Sequence, residues 1–188
     1  MTTAQVAFAL VLLATGLMRL VELGVSVRRM RERPGDVVDE PRLFPFMALL
    51  HAGLVLLPIA EVVWLDRPFR VGWAATAGAV LVLATALRIW TLRTIGWAWN
   101  VRVVQPPEDA VVSSGPYRYI RHPNYVCVIA EIAALPLLHG AWCSALALSV
   151  WNAGVLFVRI RTEEDMLMKI PAWRQAFADR ARLIPGVF

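Results

Sequence analysis

The sequence predicts an all-α, polytopic membrane protein, and three observations support that prediction. Apolar residues make up 59% of the 188 residues and charged residues only 18%, whereas a soluble domain has about 45–50% and about 25%. Five apolar segments alternate with polar connections, and the basic residues cluster beside those segments. Most of the segments reach the length of about 20 residues that a helix needs to cross a bilayer.

The N-terminal half holds three segments that are long enough to cross a bilayer. They lie at residues 4–27, 43–65 and 71–92. Arg19 and Glu22 of the first segment are three residues apart and share a helical face, so we expect them to pair near the membrane boundary. His51 and Glu61 lie in the second segment. Ionisable groups inside a membrane are costly and often functional, so their role stays open at this stage.

The C-terminal half is predicted to contain an amphiphilic connector, a helical hairpin and a charged tail. The connector, residues 93–122, is too polar to cross a membrane. Residues 124–138 and 142–158 are apolar, and we predict that they form a hairpin with His139 exposed in its turn. The tail has a helical pattern as far as Pro185.

The distribution of basic residues orients the five predicted crossings, because cytoplasmic loops are enriched in Arg and Lys. The basic side chains flank the first, third and fifth segments: Arg28, Arg29, Arg31, Arg33, Arg93, Arg102, Arg118, Arg121, Arg159, Arg161, Lys169, Arg174, Arg180 and Arg182. This pattern predicts an N-terminus outside and a C-terminus in the cytoplasm. It also explains the net charge of +5 without a nucleic-acid partner. Cys127 and Cys143 lack metal-ligand spacing, so no metal is expected.

One polar run, residues 113–125, carries many of the candidate functional groups. It contains Gly115-Pro116-Tyr117 and Arg121-His122-Pro123-Asn124-Tyr125. Proline is tolerated in the first turn of a helix and pushes the preceding residue out of it, so His122-Pro123 predicts a helix start. Free N–H groups at such a start favour binding of a carboxylate. The alternative is an interfacial belt of Tyr and Arg side chains that anchors the helix.

A second polar cluster follows the hairpin and contains Arg159, Glu163 and Glu164. Arg159 and Glu163 are four residues apart and share a helical face. As a surface ion pair they would stabilise the helix by only about 0.3–0.5 kcal/mol, whereas in a partly desolvated pocket they would hold an anionic acceptor and a cationic amine. Because the apolar hairpin returns the chain to the same side of the membrane, we predict that both clusters share one pocket there.

Glu131 lies within the hairpin, where a carboxylate that faces lipid would be costly. We therefore expect it to line a cavity for the acceptor, with Asn152 of the following helix as its partner.

The order of these motifs resembles the isoprenylcysteine carboxyl methyltransferase family. The likeness rests on the Gly-Pro-Tyr and Arg-His-Pro-Asn-Tyr run, followed after one apolar hairpin by Arg-x-x-x-Glu-Glu, and covers about residues 85–180. It implies a membrane-embedded O-methyltransferase that uses S-adenosyl-L-methionine. The acceptor would be a carboxylate or acidic hydroxyl of a prenylated or long-chain alkyl lipid that enters from the bilayer. Residues 1–188 would form one membrane domain, with helices in 1–92 and the cofactor-binding and catalytic core in 93–188.

The resemblance also implies roles for individual residues. Arg159 would face the methyl acceptor, and the cofactor would contact Gln105, Val111, Val112, Tyr117, His122, Pro123, Asn124, Tyr125 and Glu163. The Trp99-Asn100 pair, Glu131 and the Arg159-Ile160-Arg161 sequence are most similar to a bacterial branch of the family, some of whose members methylate the hydroxyl of alkylpyrone or alkylresorcinol lipids. Two alternatives remain at this stage, a membrane NADPH-dependent sterol-type reductase and a non-enzymatic membrane scaffold.

The chemistry implied by the resemblance is methyl transfer from a sulfonium to an oxygen, so placement of the two reactants would dominate catalysis. Arg159 would orient the anionic acceptor. Glu163 would hold the ammonium of the cofactor. His122 and the helix N-terminus that it begins would hold the carboxylate of the cofactor. A carboxylate or pyrone acceptor needs no general base, whereas a phenol would need one, for which His122 or a carboxylate is the candidate.

Overall fold

The computed structural model describes residues 1–32, 43–104 and 111–186. Within these ranges the chain forms six α-helices, numbered here in chain order: α1 Thr3–Arg31, α2 Phe44–Trp64, α3 Val71–Ile95, α4 Pro123–Leu137, α5 Trp142–Leu167 and α6 Pro171–Phe177. The first four agree with the predicted segments to within a few residues. The fifth does not end at Val158 but continues to Leu167, and its added turns carry the second polar cluster. Arg33 and Gln105 lie outside the described residues.

Four of these helices, α1, α2, α3 and α5, are long and apolar enough to cross a membrane. Helix α4 has 15 residues, which corresponds to about 22 Å, less than the roughly 30 Å of a bilayer core. Many large apolar side chains point outward, among them Leu10, Leu83 and Val150 at 61%, 71% and 65% exposure. An apolar exterior over several helices is typical of a surface that faces lipid. The prediction of an all-α polytopic membrane protein is confirmed.

Helix α4 packs between α3 and α5, and α2 packs between α1 and α5. An apolar core joins α1, α2, α4 and α5 through buried side chains such as Leu12, Leu54, Ile132 and Leu148. The expectation of an exposed His139 is wrong, because His139 is only 2% exposed. The rings of Phe8 and Phe69 cover it, with centroids 5.4 and 5.5 Å away.

Arg19 and Glu22 pair as predicted, at 2.7 Å, and belong to a buried cluster of four charges. Arg88 of α3 donates to Glu22 at 2.7 and 2.9 Å. Glu131 of α4 pairs with Arg19 and lies 3.7 Å from Arg88. The expected pairing of Glu131 with Asn152 is therefore wrong, because two arginines from other helices neutralise this carboxylate. The cluster ties α1, α3 and α4 together with balanced charge.

Glu61 has a structural role at the start of α5. Its carboxylate accepts hydrogen bonds from the backbone N–H of Ser144 at 2.7 Å and of Cys143 at 3.2 Å, and pairs with Arg67 at 3.0 Å. A negative charge at a helix N-terminus satisfies free N–H groups and complements the helix dipole. Helix α2 thereby fixes the point at which the second arm of the hairpin begins.

Replacing Glu22 with Ala should destabilise the protein strongly, because two buried guanidinium groups would lose their shared carboxylate. Breaking a buried ion pair from one side costs about 3–5 kcal/mol. Equilibrium unfolding in mixed detergent micelles measures this loss. The matched control is Glu32→Ala, which removes an exposed pair with Arg28, the two side chains being 58% and 81% exposed, and should cost less than about 1 kcal/mol. Equal losses in the two variants would show that the cluster does not brace the helices.

Candidate functional site

A cavity of about 140 Å³ lies where the polar ends of α3, α4 and α5 meet the connector and α6. Its walls include eight of the residues singled out in the sequence: Val111, Val112, Tyr117, His122, Asn124, Tyr125, Arg159 and Glu163. The start of α4 and the end of α5 thus share one cavity, as the hairpin argument requires. Pro123, Glu131 and Asn152 do not line it. Val104 and Val111 do line the cavity. Between them lies the segment 105–110, which contains Gln105 and is outside the described residues.

The start of α4 is held by the C-terminal tail. The backbone N–H groups of Arg121 and His122 donate to the carbonyls of Ala181 and Arg182 at 2.9 and 3.0 Å, and Ile120 forms a parallel bridge with Ala181. The prediction of a helical tail as far as Pro185 is therefore wrong. Helix α6 ends at Phe177, and Ala181 beyond it forms the bridge with Ile120, in the segment before α4.

Glu164 is the centre of a buried polar cluster behind the cavity wall. Its carboxylate accepts from His122 Nε2 at 3.0 Å and pairs with Arg182 at 3.0 Å and with Arg121 at 3.2 Å. Since Glu164 is 6% exposed, these contacts are largely shielded from solvent. They join α4, α5 and the tail and fix the plane of the His122 ring. The Nε2 atom of His122 is thereby engaged, which leaves Nδ1 as the ring nitrogen for any ligand.

The hydroxyl of Tyr125 bridges Arg159 and Glu163. It accepts a hydrogen bond from Arg159 Nε at 2.7 Å and donates one to the Glu163 carboxylate. Arg159 also donates to the backbone carbonyl of Val101 in the connector. The sequence predicted that Arg159 and Glu163 share a helical face, but gave no indication that a hydroxyl from α4 links them. Arg159 is only 5% exposed, so its position is set by these contacts.

The connector is fixed to α1 and α3 by close contacts. Arg29 of α1 donates to the carbonyls of Gly96 and Trp99 at 3.2 and 2.8 Å. Gly115 has a φ of +57°, and a Cβ there would lie 2.5 Å from Oγ1 of Thr94, so this turn requires glycine. The resulting 3-10 turn, Gly115–Arg118, carries Tyr117 into the cavity wall.

Tyr117 keeps its proton at physiological pH. Burial raises the pKa of this phenol above its ordinary value, and the nearby charge of Glu163 raises it further. Tyr117 therefore offers the cavity a hydroxyl and an aromatic face rather than an anion.

Asn124 belongs to the cavity wall and carries a buried polar atom without a partner among the described residues. Its side-chain oxygen is buried, and no described residue donates a hydrogen bond to it. Buried polar atoms are almost always hydrogen-bonded, so this oxygen is a candidate acceptor for a group that is not among the described residues. A ligand with both a cationic and an aromatic part would find Glu163 and Asn124 as acceptors and the rings of Tyr117 and Trp99 as faces.

The cavity also has lining residues to which the sequence assigned no role in a site. Arg102 lines it, with its guanidinium 4.7 Å from the ring centroid of Phe44. Trp173 and Phe177 of α6 line it too, stacked at 4.9 Å. Their spacing of four residues puts both rings on one face of a short helix, which was the available signal. Among the described residues no group of three or more His, Cys, Asp or Glu side chains forms a candidate metal site.

A model of the Isoprenylcysteine carboxyl methyltransferase (ICMT) family matches residues 76–169. The chain belongs to this family. The matched range includes the run that ends at Tyr125, the whole hairpin, and both Arg159 and Glu163. All the groups bridged by the Tyr125 hydroxyl therefore lie within the part of the chain that the family shares.

Relatives in other organisms extend this result. The uncharacterized protein YpbQ of Bacillus subtilis is 35% identical over 126 residues, covering 67% of this chain and 74% of YpbQ. The protein-S-isoprenylcysteine O-methyltransferase of Rattus norvegicus is 30% identical over 121 residues, 62% of this chain and 41% of the rat protein. The cobalt-zinc-cadmium resistance protein CzcN of Cupriavidus metallidurans is 30% identical over 117 residues, 62% of this chain and 53% of CzcN.

Replacing Glu164 with Ala should release the C-terminal tail from α4. His122, Arg121 and Arg182 would lose their shared carboxylate, and the Nε2 atom of the buried His122 ring would lose its hydrogen-bond partner, which costs about 1–3 kcal/mol. Trypsin cleavage after the tail arginines measures local opening, and we expect it to accelerate on the order of tenfold or more. The matched control is Asp165→Ala, an exposed acid one residue further on. Cleavage at the wild-type rate in Glu164→Ala would contradict the role of this cluster.

Proposed function

We propose that the protein is an S-adenosyl-L-methionine-dependent O-methyltransferase of the membrane. Its acceptor is a carboxylate or acidic hydroxyl on a lipid-like molecule with a prenyl or long alkyl chain. The observation that carries the proposal is the bridged trio of Arg159, Tyr125 and Glu163, which brings a cation and an anion to one cavity at the end of the membrane-spanning helices. Family membership supports methyl transfer as the reaction class.

The residues around the cavity fit the donor and acceptor groups of this cofactor. Glu163 would pair with its ammonium group, and the orphaned oxygen of Asn124 would accept a further hydrogen bond. Tyr117 and Trp99 supply aromatic faces, which attract a cation such as a sulfonium. Cavities for small molecules usually measure about 300–1,000 Å³, so the present cavity of about 140 Å³ must widen when a nucleoside-sized molecule binds.

S-adenosyl-L-methionine, when bound, supplies a methyl group on a positively charged sulfur that leaves readily. The protein then has to align the acceptor oxygen and exclude water. Arg159 is suited to orient an anionic oxygen, because a guanidinium donates several hydrogen bonds in a fixed plane. Tyr125 and the Val101 carbonyl hold that guanidinium in place, so little reorganisation is needed when the acceptor binds. An acceptor that is already ionised needs no general base.

The polar ends of α1, α3 and α5 carry the basic residues, which we propose face the cytoplasm, with the N-terminus outside. The acceptor would then enter the site sideways from the inner leaflet.

Glu163→Ala should weaken binding of S-adenosyl-L-methionine by about 30-fold or more, since a charged partner is lost from a partly buried site. Isothermal calorimetry of the detergent-solubilised protein measures this affinity, with Asp165→Ala as the matched control on the same helix. Wild-type affinity in Glu163→Ala would remove Glu163 from the cofactor site. Binding of NADPH by the wild-type protein in place of S-adenosyl-L-methionine would favour a reductase and contradict the proposal.

Arg159→Gln should lower kcat/KM for methyl transfer by about 100-fold or more, because a charge-assisted hydrogen bond to the acceptor is lost. Affinity for S-adenosyl-L-methionine should fall much less than in Glu163→Ala, since Arg159 acts on the acceptor and reaches the cofactor-binding groups only through Tyr125. Mass spectrometry of membrane lipid extracts incubated with isotopically labelled cofactor provides the assay. Arg174→Gln is the control, because it removes the same charge from α6. An unchanged kcat/KM for methyl transfer, or a loss of cofactor affinity as large as that in Glu163→Ala, would contradict the assignment of Arg159 to the acceptor.

A further inference from the structure

A second cavity of about 330 Å³ lies between α4, α5 and the C-terminal tail. Most of its walls are apolar and come from Ile129, Ala153, Leu156, Phe157 and Leu183. Ile129 and Phe157 are 40% and 58% exposed, so the cavity is bordered by side chains on the lipid-facing surface. Its volume falls within the range of about 300–1,000 Å³ that is typical of small-molecule sites.

The second cavity also has a cationic end. Arg161 and Arg182 are part of its lining. Arg161 is exposed and lies over the ring of Phe157, 4.1 Å from its centroid, and Arg182 reaches Glu164 at 3.0 Å. Asn152, only 3% exposed, contributes a polar group to the wall. The cavity thus combines an apolar body with the exposed guanidinium of Arg161 and with Arg182, which already pairs with Glu164.

A wall of packed side chains separates the second cavity from the candidate methyl-transfer site. Tyr125, Leu156 and Ile160 form one buried cluster, against which Leu183 packs. Tyr125 lines the first cavity, whereas Leu156 and Ile160 line the second. The contacts of Arg159 with Tyr125 and Val101 hold it at the first cavity. A chain in the second cavity is therefore screened from the group assigned to the acceptor.

We propose that the second cavity binds an anionic phospholipid of the surrounding bilayer, with one acyl chain in the apolar body and the phosphate beside Arg161 and Arg182. Basic pockets between helices near the cytoplasmic surface are suited to anionic headgroups, and guanidinium–phosphate hydrogen bonds are charge-assisted. A neutral lipid would offer no negative charge to the exposed guanidinium of Arg161. A soluble anion would leave the apolar body empty. This site is separate from the proposed enzymatic function and stands without it.

Native mass spectrometry of the purified full chain tests the proposal, with phosphatidylglycerol and phosphatidylcholine of identical acyl chains as probes. The wild-type protein should retain phosphatidylglycerol preferentially. Arg161→Gln should lower its affinity for phosphatidylglycerol by about fivefold, the effect of one basic residue near a membrane surface, and leave that for phosphatidylcholine unchanged. Arg174→Gln removes the same charge outside the cavity and should have no effect. Equal retention of the two lipids, or equal losses in the two arginine variants, would overturn the proposal.

A second variant tests the apolar body of the cavity. Ala153→Leu adds a branched side chain to the wall of the cavity and should lower retention of both phospholipids. If Ala153→Leu instead abolishes methyl transfer to lipid extracts while phosphatidylglycerol binding stays at the wild-type level, the cavity holds the methyl acceptor and the phospholipid assignment is wrong. Because the readout is lipid binding, failure of this proposal is distinguishable from failure of the enzymatic one.

Discussion

The candidate site depends on the contact between the start of α4 and the end of α5. Two polar clusters make this contact. One is centred on the hydroxyl of Tyr125 and the other on the carboxylate of Glu164. Each cluster takes groups from both arms of the hairpin, and both are buried, so neither arm can shift without leaving a polar group unsatisfied. Such losses cost far more than surface ion pairs contribute. The contact therefore fixes the relative position of the cation and the anion that face the cavity.

The charges that line the first cavity support the proposed anionic, lipid-like acceptor. Arg102, Arg121 and Arg159 line the first cavity, whereas Glu163 is its only acidic lining residue among those described. Arg121 is already engaged by Glu164, and Arg159 is held by the Tyr125 hydroxyl and the Val101 carbonyl. The apolar exterior of the helices begins immediately beside these groups. The proposed acceptor, with an acidic head and an apolar tail, would match both surfaces.

Much of the fold was predictable from the sequence, because spans of apolar residues have no alternative to helices in a membrane. The shared cavity was predictable for the same reason, since a short hairpin returns the chain to one side. Contacts between residues that are distant in sequence were not predictable. The pairing of Glu131 with Arg19 joins residues 112 positions apart, and hydropathy does not specify which helices are neighbours. The burial of His139 and the pairing of the tail with Ile120 depend on the same long-range packing.

The central claim is that the start of α4 and the end of α5 bind one ligand together. Photo-crosslinking with an azido analogue of S-adenosyl-L-methionine, followed by peptide mapping, tests it most directly. We expect label in peptides from both residues 113–125 and residues 159–167, with unlabelled cofactor competing for both. Label confined to one of the two segments, or located in the N-terminal helices, would contradict the account.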